Sequence, residues 1–216
     1  MLLSATDAEG DGTGMSDEQL RDEVMTLFLA GHETTANALT WTWYLLCRNP
    51  KAEERLHAEV DALGHTPTIA DLPRLEYTRR VVMESMRLYP PAYAIGRRVL
   101  EDYQVGGYTI PANAMVVVSQ FLVHRDPRWF PDPDLFDPDR WLPEVAATRP
   151  KFSYFPFGAG TRICIGEQFA WTEAILIVAT LARRWRFWLA PKQRIAVQPR
   201  ITLRPKYGIQ MVVRDR

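Results

Sequence analysis

Phe155-Pro156-Phe157-Gly158-Ala159-Gly160-Thr161-Arg162-Ile163-Cys164-Ile165-Gly166-Glu167 is a glycine-dense loop that delivers one cysteine to the start of a helix. Backbone amides and the positive end of a helix dipole lower a thiol pKa, and glycines let a flat ligand approach the main chain closely. The stretch therefore predicts a thiolate, which could serve as a nucleophile, a zinc ligand or a haem ligand. Zinc wants further Cys or His ligands at short spacing, and none flank Cys164. A cysteine nucleophile wants a histidine base, and none of His32, His57, His65 and His124 is marked for that role.

Outward from this loop the chain reads as mainly α with small antiparallel β-sheets. A helix is expected from Glu167 to about Trp185, followed by short strands at Ile195–Val197, Ile201–Leu203 and Ile209–Val213. Upstream, Asp126–Pro143 is crowded with prolines and aromatics, which predicts an ordered but irregular meander. Tyr93–Val99, Tyr103–Val105 and Met115–Ser119 alternate with turn signals at Gly106-Gly107 and Pro111–Asn113 and read as one small, mostly antiparallel sheet. Ser16, with Gln19 three residues on, opens a helix to about Cys47, with Leu20, Val24, Leu27, Phe28, Gly31, Thr35, Ala38, Trp41 and Leu45 along one face. Asn49-Pro50 should cap a second helix that Gly64 stops, and Asp71 should cap a third that reaches Leu88. Residues 1–15 read as a flexible lead-in, and no repeat or composition break divides residues 16–216.

The chain has 216 residues, 26 Lys+Arg against 26 Asp+Glu, and is 47% hydrophobic and 24% charged, as expected of a globular chain with a buried core. Zero formal net charge removes the drive for sequence-independent binding to nucleic acid or acidic membranes. Cys47 and Cys164 lie far apart in unlike contexts, so no structural disulfide is expected and a reducing cytoplasm is the default. No apolar run approaches the about 18 residues needed to span a bilayer, so no membrane segment is expected, and the first residues lack the order of a signal peptide.

The pattern Phe-x-x-Gly-x-Arg-x-Cys-x-Gly, filled by Phe157, Gly160, Arg162, Cys164 and Gly166, resembles the haem-ligand signature of the cytochrome P-450 family, the haem-thiolate monooxygenases. The resemblance implies haem b (iron protoporphyrin IX) with Cys164 as axial thiolate and metal ligand, Arg162 pairing with a propionate, and Phe157, Gly158 and Gly166 shaping the loop. Ala30-Gly31-His32-Glu33-Thr34-Thr35 resembles the family's oxygen-activation motif. By that likeness Gly31 leaves room for dioxygen and substrate, while Glu33 and Thr34 organise water for proton delivery. Glu84-Ser-Met-Arg87 and Phe136-Asp-Pro-Asp-Arg140-Trp141 resemble the pair and the meander whose second arginine locks helix to meander.

By the same likeness Arg97 reaches a propionate, with His124 as a further propionate neighbour unless an Asp126-capped turn explains it. Residues 91–95 and the tail near residues 198–201 resemble pocket-lining stretches; Ala92, Tyr93 and Ile95 suggest an apolar substrate face with Tyr93 as a polar contact. The implied function is a monooxygenase inserting one atom of dioxygen into an apolar small molecule, with electrons from a redox protein, either a ferredoxin or a flavoprotein reductase. The resemblance runs from Ser16 to the C-terminus and corresponds to the C-terminal half of a family member. A different class of reading is therefore a truncated, non-catalytic remnant that does not hold haem alone.

Overall fold

The computed structural model describes Ala5, Thr6 and residues 12–216. Most of the expected lead-in lies outside the described residues; Thr6 and Gly14 pair in an isolated antiparallel bridge.

α1 (Asp17–Arg48) opens on a reciprocal cap: the Gln19 amide donates to Ser16 Oγ at 3.2 Å and the Ser16 amide donates to Gln19 Oε1 at 2.9 Å. At 1.5 Å per residue its 32 residues make a rod about 48 Å long. Only its C-terminal end is embedded, through Ala38, Trp41, Trp43, Tyr44, Leu45 and Leu46. The stripe expected to continue through Val24, Leu27 and Phe28 is exposed, because no other described element lies against it.

α2 (Pro50–Asp61) begins on its proline with Asn49 at the N-cap, whose carbonyl accepts the Ala52 and Glu53 amides, but the Asn49 side chain makes no capping bond and instead donates back to the Leu45 carbonyl at 2.7 Å. Asp71 likewise belongs to a different element from the one expected. It accepts from the Thr68 amide and hydroxyl at 2.9 and 2.8 Å and shapes a 3₁₀ turn, Ile69–Arg74. The start of α3 (Glu76–Leu88) is held from outside, the amides of Tyr77 and Thr78 donating to the Glu59 carboxylate at 2.6 and 2.8 Å.

β1 (Ile95–Arg98) pairs antiparallel with β4 (Met115–Val118), Ile95 opposite Val118. β2 (Tyr103–Val105) and β3 (Tyr108–Ile110) join through Gly106-Gly107, whose φ values of 54° and 83° suit a two-residue hairpin. α4 (Gln120–Val123) and α5 (Pro143–Ala146) are single turns flanking the meander, which contains only one 3₁₀ turn, Pro138–Trp141. α6 (Glu167–Arg184) ends where β5 (Trp185–Leu189) begins. β5 pairs with β8 (Met211–Asp215), and β6 (Val197–Pro199) pairs with β7 (Leu203–Pro205). Among the described residues the strands thus form four separate two-stranded antiparallel ladders rather than one sheet, each strand being three to five residues long. All three tail strands lie two residues later than expected, which leaves Ile201 and Thr202 in a turn.

The core is where α1, α2, α3 and α6 meet. Trp41, Leu46, Leu56, Val60, Val81, Val82, Val178 and Ala179 are fully buried there, and a side chain of Val or Leu size contributes about 1.5–3 kcal/mol. The expected lock between helix and meander is present. Arg87 donates to both Glu84 oxygens at 2.8 and 2.9 Å and to the carbonyls of His124, Pro133 and Leu135. The Asp137 amide and the Trp141 indole each donate to Glu84 at 3.0 Å, and Arg140 Nε stands 3.4 Å from it. A buried ion pair is favourable only when its remaining lone pairs and protons are satisfied, and the carbonyls on Arg87 with the Asp137 amide and Trp141 indole on Glu84 do that for the Arg87–Glu84 pair, while Arg140 Nε makes no hydrogen bond.

Candidate functional site

The cysteine loop is anchored at its leading edge. His124 is fully buried and accepts the Phe155 amide at Nε2, 2.9 Å away. Tyr154 packs its ring 4.8 Å from that imidazole and donates its hydroxyl to the Met83 carbonyl at 3.0 Å. A ring nitrogen that accepts is unprotonated, and burial first, then Arg87 and Arg125, push His124 down to about 3. His124 is therefore an internal brace of the loop, and the propionate contact considered for it does not fit its burial.

Within the loop, the Cys164 amide donates to the Phe157 carbonyl at 2.9 Å and the Gly158 amide donates to Phe155 at 3.0 Å. Gly158 and Gly160 adopt φ of 78° and 75°, a region that strains any residue with a Cβ. The 3₁₀ turn Gly160–Arg162 follows, and Gly166 then starts α6. A Cβ built on Gly166 would stand 3.8 Å from Cys164 Sγ, so the glycine keeps that side of the sulfur clear. Phe157 packs edge-on against Trp171 of α6, 5.3 Å between ring centroids, and so fixes the loop to the helix that follows it.

Cys164 is an exposed, free thiol. Around it Ile163, Ile165 and Phe169 face outward, Ile165 with 92% of its surface accessible. Arg162 has no hydrogen-bond or ion-pair partner among the described residues, and the exposed Arg97 donates only to the Gly96 carbonyl at 2.8 Å. One soft thiol on an open apolar face, glycines where a flat group must approach, and two cations without carboxylate partners fit a haem with propionates. Among the described residues no cluster of three or more His, Cys, Asp or Glu is placed to hold a metal ion, so the thiol is offered singly.

The second group of candidates lies on α1. Apart from its chain neighbours and its own helix backbone, no described atom lies within 4 Å of the position a Gly31 Cβ would take. The Thr34 hydroxyl donates to the Ala30 carbonyl at 2.7 Å, a bond within its own helix. The Glu33 carboxyl accepts from Thr202 Oγ1 at 2.6 Å. Among the described residues no hydrogen bond or ion pair joins the Glu33–Thr34 pair to Cys164, Arg162 or Arg97. Tyr93 is committed to the chain itself, its hydroxyl donating to the Arg200 carbonyl at 2.9 Å, so it braces the tail rather than presenting a free polar group. Thr202 was not singled out from the sequence; a lone threonine after Ile201 carries no local signal, and its partners lie 165 and 169 residues away. Cys47 is the other free thiol, and burial pushes it up to about 11, while it donates to the Phe187 carbonyl at 3.3 Å.

The family model described as Cytochrome P450 matches residues 1–213. Cyclooctatin synthase of Streptomyces melanosporofaciens is 52% identical over 204 residues, 94% of this chain and 44% of that protein. Cyclooctat-9-en-7-ol 5-monooxygenase of the same organism is 45% identical over 88% of this chain and 42% of its own length. Among solved structures, the cytochrome P450DA heme domain superposes with a TM-score of 0.92 at 36% identity, over 100% of this chain and 48% of that one. The retinoic acid-bound cyanobacterial CYP120A1 gives 0.93 at 32% identity, over 99% and 49%. The chain spans about half the length of the curated relatives it matches.

Proposed function

The chain belongs to the cytochrome P450 family, and on that premise we propose that it is the part of a haem-dependent monooxygenase that supplies the iron's thiolate and the acid–alcohol pair. The observation that carries this reading is the exposed Cys164 thiol, held ahead of α6 on an open apolar face by the hydrogen bond from its backbone amide to the Phe157 carbonyl. Haem b held through Cys164 would supply the redox chemistry of dioxygen cleavage, taking two electrons from a redox protein and two protons so that one oxygen atom enters the substrate and the other leaves as water.

The residues divide that work. Cys164 ligates iron, and the Phe157 carbonyl, by holding the Cys164 amide, keeps the sulfur in one position. Arg162 and Arg97 hold the propionates. Gly158 supplies the left-handed turn of the loop, and Gly166 keeps a side chain away from the sulfur. Glu33 and Thr34 act on the same water, the carboxyl passing it protons as the exchangeable acid and the hydroxyl accepting from it and so orienting it.

The apolar side chains beside the site and the alkenol named for the 45%-identical relative support an apolar small-molecule substrate. A ferredoxin or a flavoprotein reductase is the proposed electron donor, and the cytoplasm the proposed location. Among the described residues no helix is long and apolar enough to cross a membrane.

The test uses the haem-loaded protein that contains this chain, a ferredoxin with its reductase, NADPH and ¹⁸O₂, with cyclooctat-9-en-7-ol and a panel of apolar alkenes and alcohols. One labelled oxygen per product molecule is expected. Products whose new oxygen comes from water, or no oxidation across the panel, would contradict the reading.

A further inference from the structure

α1 and the C-terminal tail are bolted together at one turn. Residues 200–202 connect β6 to β7, and the polar groups around that turn are paired on both flanks. Toward α1, the Trp41 indole donates to the Leu203 carbonyl at 3.0 Å, Asn37 Nδ2 donates to Thr202 Oγ1 at 3.0 Å, and Thr202 Oγ1 donates to Glu33 Oε1 at 2.6 Å. Toward the segment after α3, the Leu203 amide donates to the Pro91 carbonyl at 2.9 Å and Tyr93 donates to Arg200. Glu33, Asn37 and Trp41 are spaced by four and therefore share one helix face.

Thr202 and Ile201 part company at this turn: Thr202 is 5% exposed and Ile201 is 94% exposed. A hydroxyl has one proton to give and lone pairs to receive. Asn37 fills the receiving side, so the single Thr202 proton goes to Glu33, and bonds in such a chain polarise one another. Glu33 is otherwise an exposed side chain with several rotamers open to it, and a glutamate fixed in one rotamer gives up conformational entropy that something must offset.

We propose that Thr202, backed by Asn37, is the positioning residue for the Glu33 carboxyl, so that the acid's placement depends on the seating of the turn that carries Ile201. This rests on the acid role assigned to Glu33 under Proposed function. The consequence is a mechanical link between the exposed apolar tip at Ile201 and the proton-delivering group. A molecule that presses on Ile201 shifts the same turn that sets the carboxyl, while Trp41 and Tyr93 limit how far the turn can move.

The experiment compares Thr202→Val, Thr202→Ser, Asn37→Ala, Glu33→Ala and the double variant Glu33→Ala/Thr202→Val in the haem-loaded protein. Three quantities are read: product formed per reductant consumed, kcat against KM, and backbone hydrogen exchange at Arg200 and Leu203. Thr202→Val is expected to lower the product ratio roughly two- to tenfold, the range for losing a hydrogen bond to an ionisable group that water partly replaces. The loss should fall on kcat, with faster exchange at the two amides, and Thr202→Ser, which keeps the hydroxyl, should restore all three. Asn37→Ala should give a smaller loss in the same direction, and it carries the test if Thr202→Val does not fold. The double variant should be no worse than Glu33→Ala. Equal behaviour of Thr202→Val and Thr202→Ser, or a normal ratio in Thr202→Val beside a lowered one in Glu33→Ala, would overturn the positioning role and leave the acid role standing. A normal ratio in Glu33→Ala would remove the acid role itself, and the positioning role with it.

Discussion

Thr34 gives its only hydroxyl proton to the Ala30 carbonyl of its own helix, which leaves the oxygen's lone pairs free to accept. A group so placed orients water without donating to it, and this is the role assigned to it beside Glu33. Thr34→Ala should leave the haem spectrum nearly normal while diverting consumed electrons from product into peroxide. An unchanged ratio of product to reductant would make Thr34 a packing residue. Two buried histidines set a different residue-scale property. His57 is pushed from the usual 6.5 to about 4 by burial, then Arg216 and Arg186, and His124 to about 3 by burial, then Arg87 and Arg125. Unfolded, both take up a proton near pH 6.5; between there and about pH 4 the unfolded chain holds more protons. Stability from these groups is thus complete above pH 6.5 and lost as pH falls. The urea midpoint should drop between pH 7 and pH 5, and His124→Gln should make that drop shallower. A profile equally steep without His124 would contradict its neutral, accepting state.

At the scale of elements, α3 owes its first turn to Glu59 on α2, which accepts the Tyr77 and Thr78 amides and the Thr78 hydroxyl. Glu59→Ala should cost about 1–2 kcal/mol in urea unfolding, as loss of a helix cap does. A change within error would mean water satisfies those amides equally well. The same contacts show which parts of the fold were readable in advance. α1 and α6 end within a residue of the expected positions, because the Ser16–Gln19 cap and the apolar periodicity are local signals. Asn49 sits at the expected N-cap of α2 but its side chain serves the end of α1, and Asp71 serves the 3₁₀ turn rather than α3, since such a side chain can bond the backbone before it or after it, and packing decides. The tail strands slipped by two residues because β6 and β7 take their register from each other and from α1, through Thr202 and Trp41. The cysteine loop was legible for the opposite reason: its glycines, arginine and thiol sit within thirteen consecutive residues. His124 was not, because its partner is the Phe155 amide and any residue could provide that.

For the whole molecule, the question is what covers its open faces. Val24, Met25, Leu27, Phe28 and Leu29 on α1, Ile163, Ile165 and Phe169 around Cys164, and Ile201 on the tail turn are all exposed. Large accessible apolar surface promotes association in water. The 216-residue chain expressed by itself should therefore self-associate and take up haem poorly. Adding the part of its relatives' length that it does not span should raise both solubility and haem occupancy, because a partner that binds only the folded form stabilises it. A monomeric, stoichiometrically haem-loaded product from this chain alone would contradict that expectation. The most direct measurement is the optical spectrum of the reduced, carbon monoxide-bound haem protein that contains this chain, taken with Cys164 intact and with Cys164→Ala and Cys164→His. A thiolate-type spectrum that both substitutions abolish is the predicted result; an unchanged spectrum in either variant would show that another residue ligates the iron.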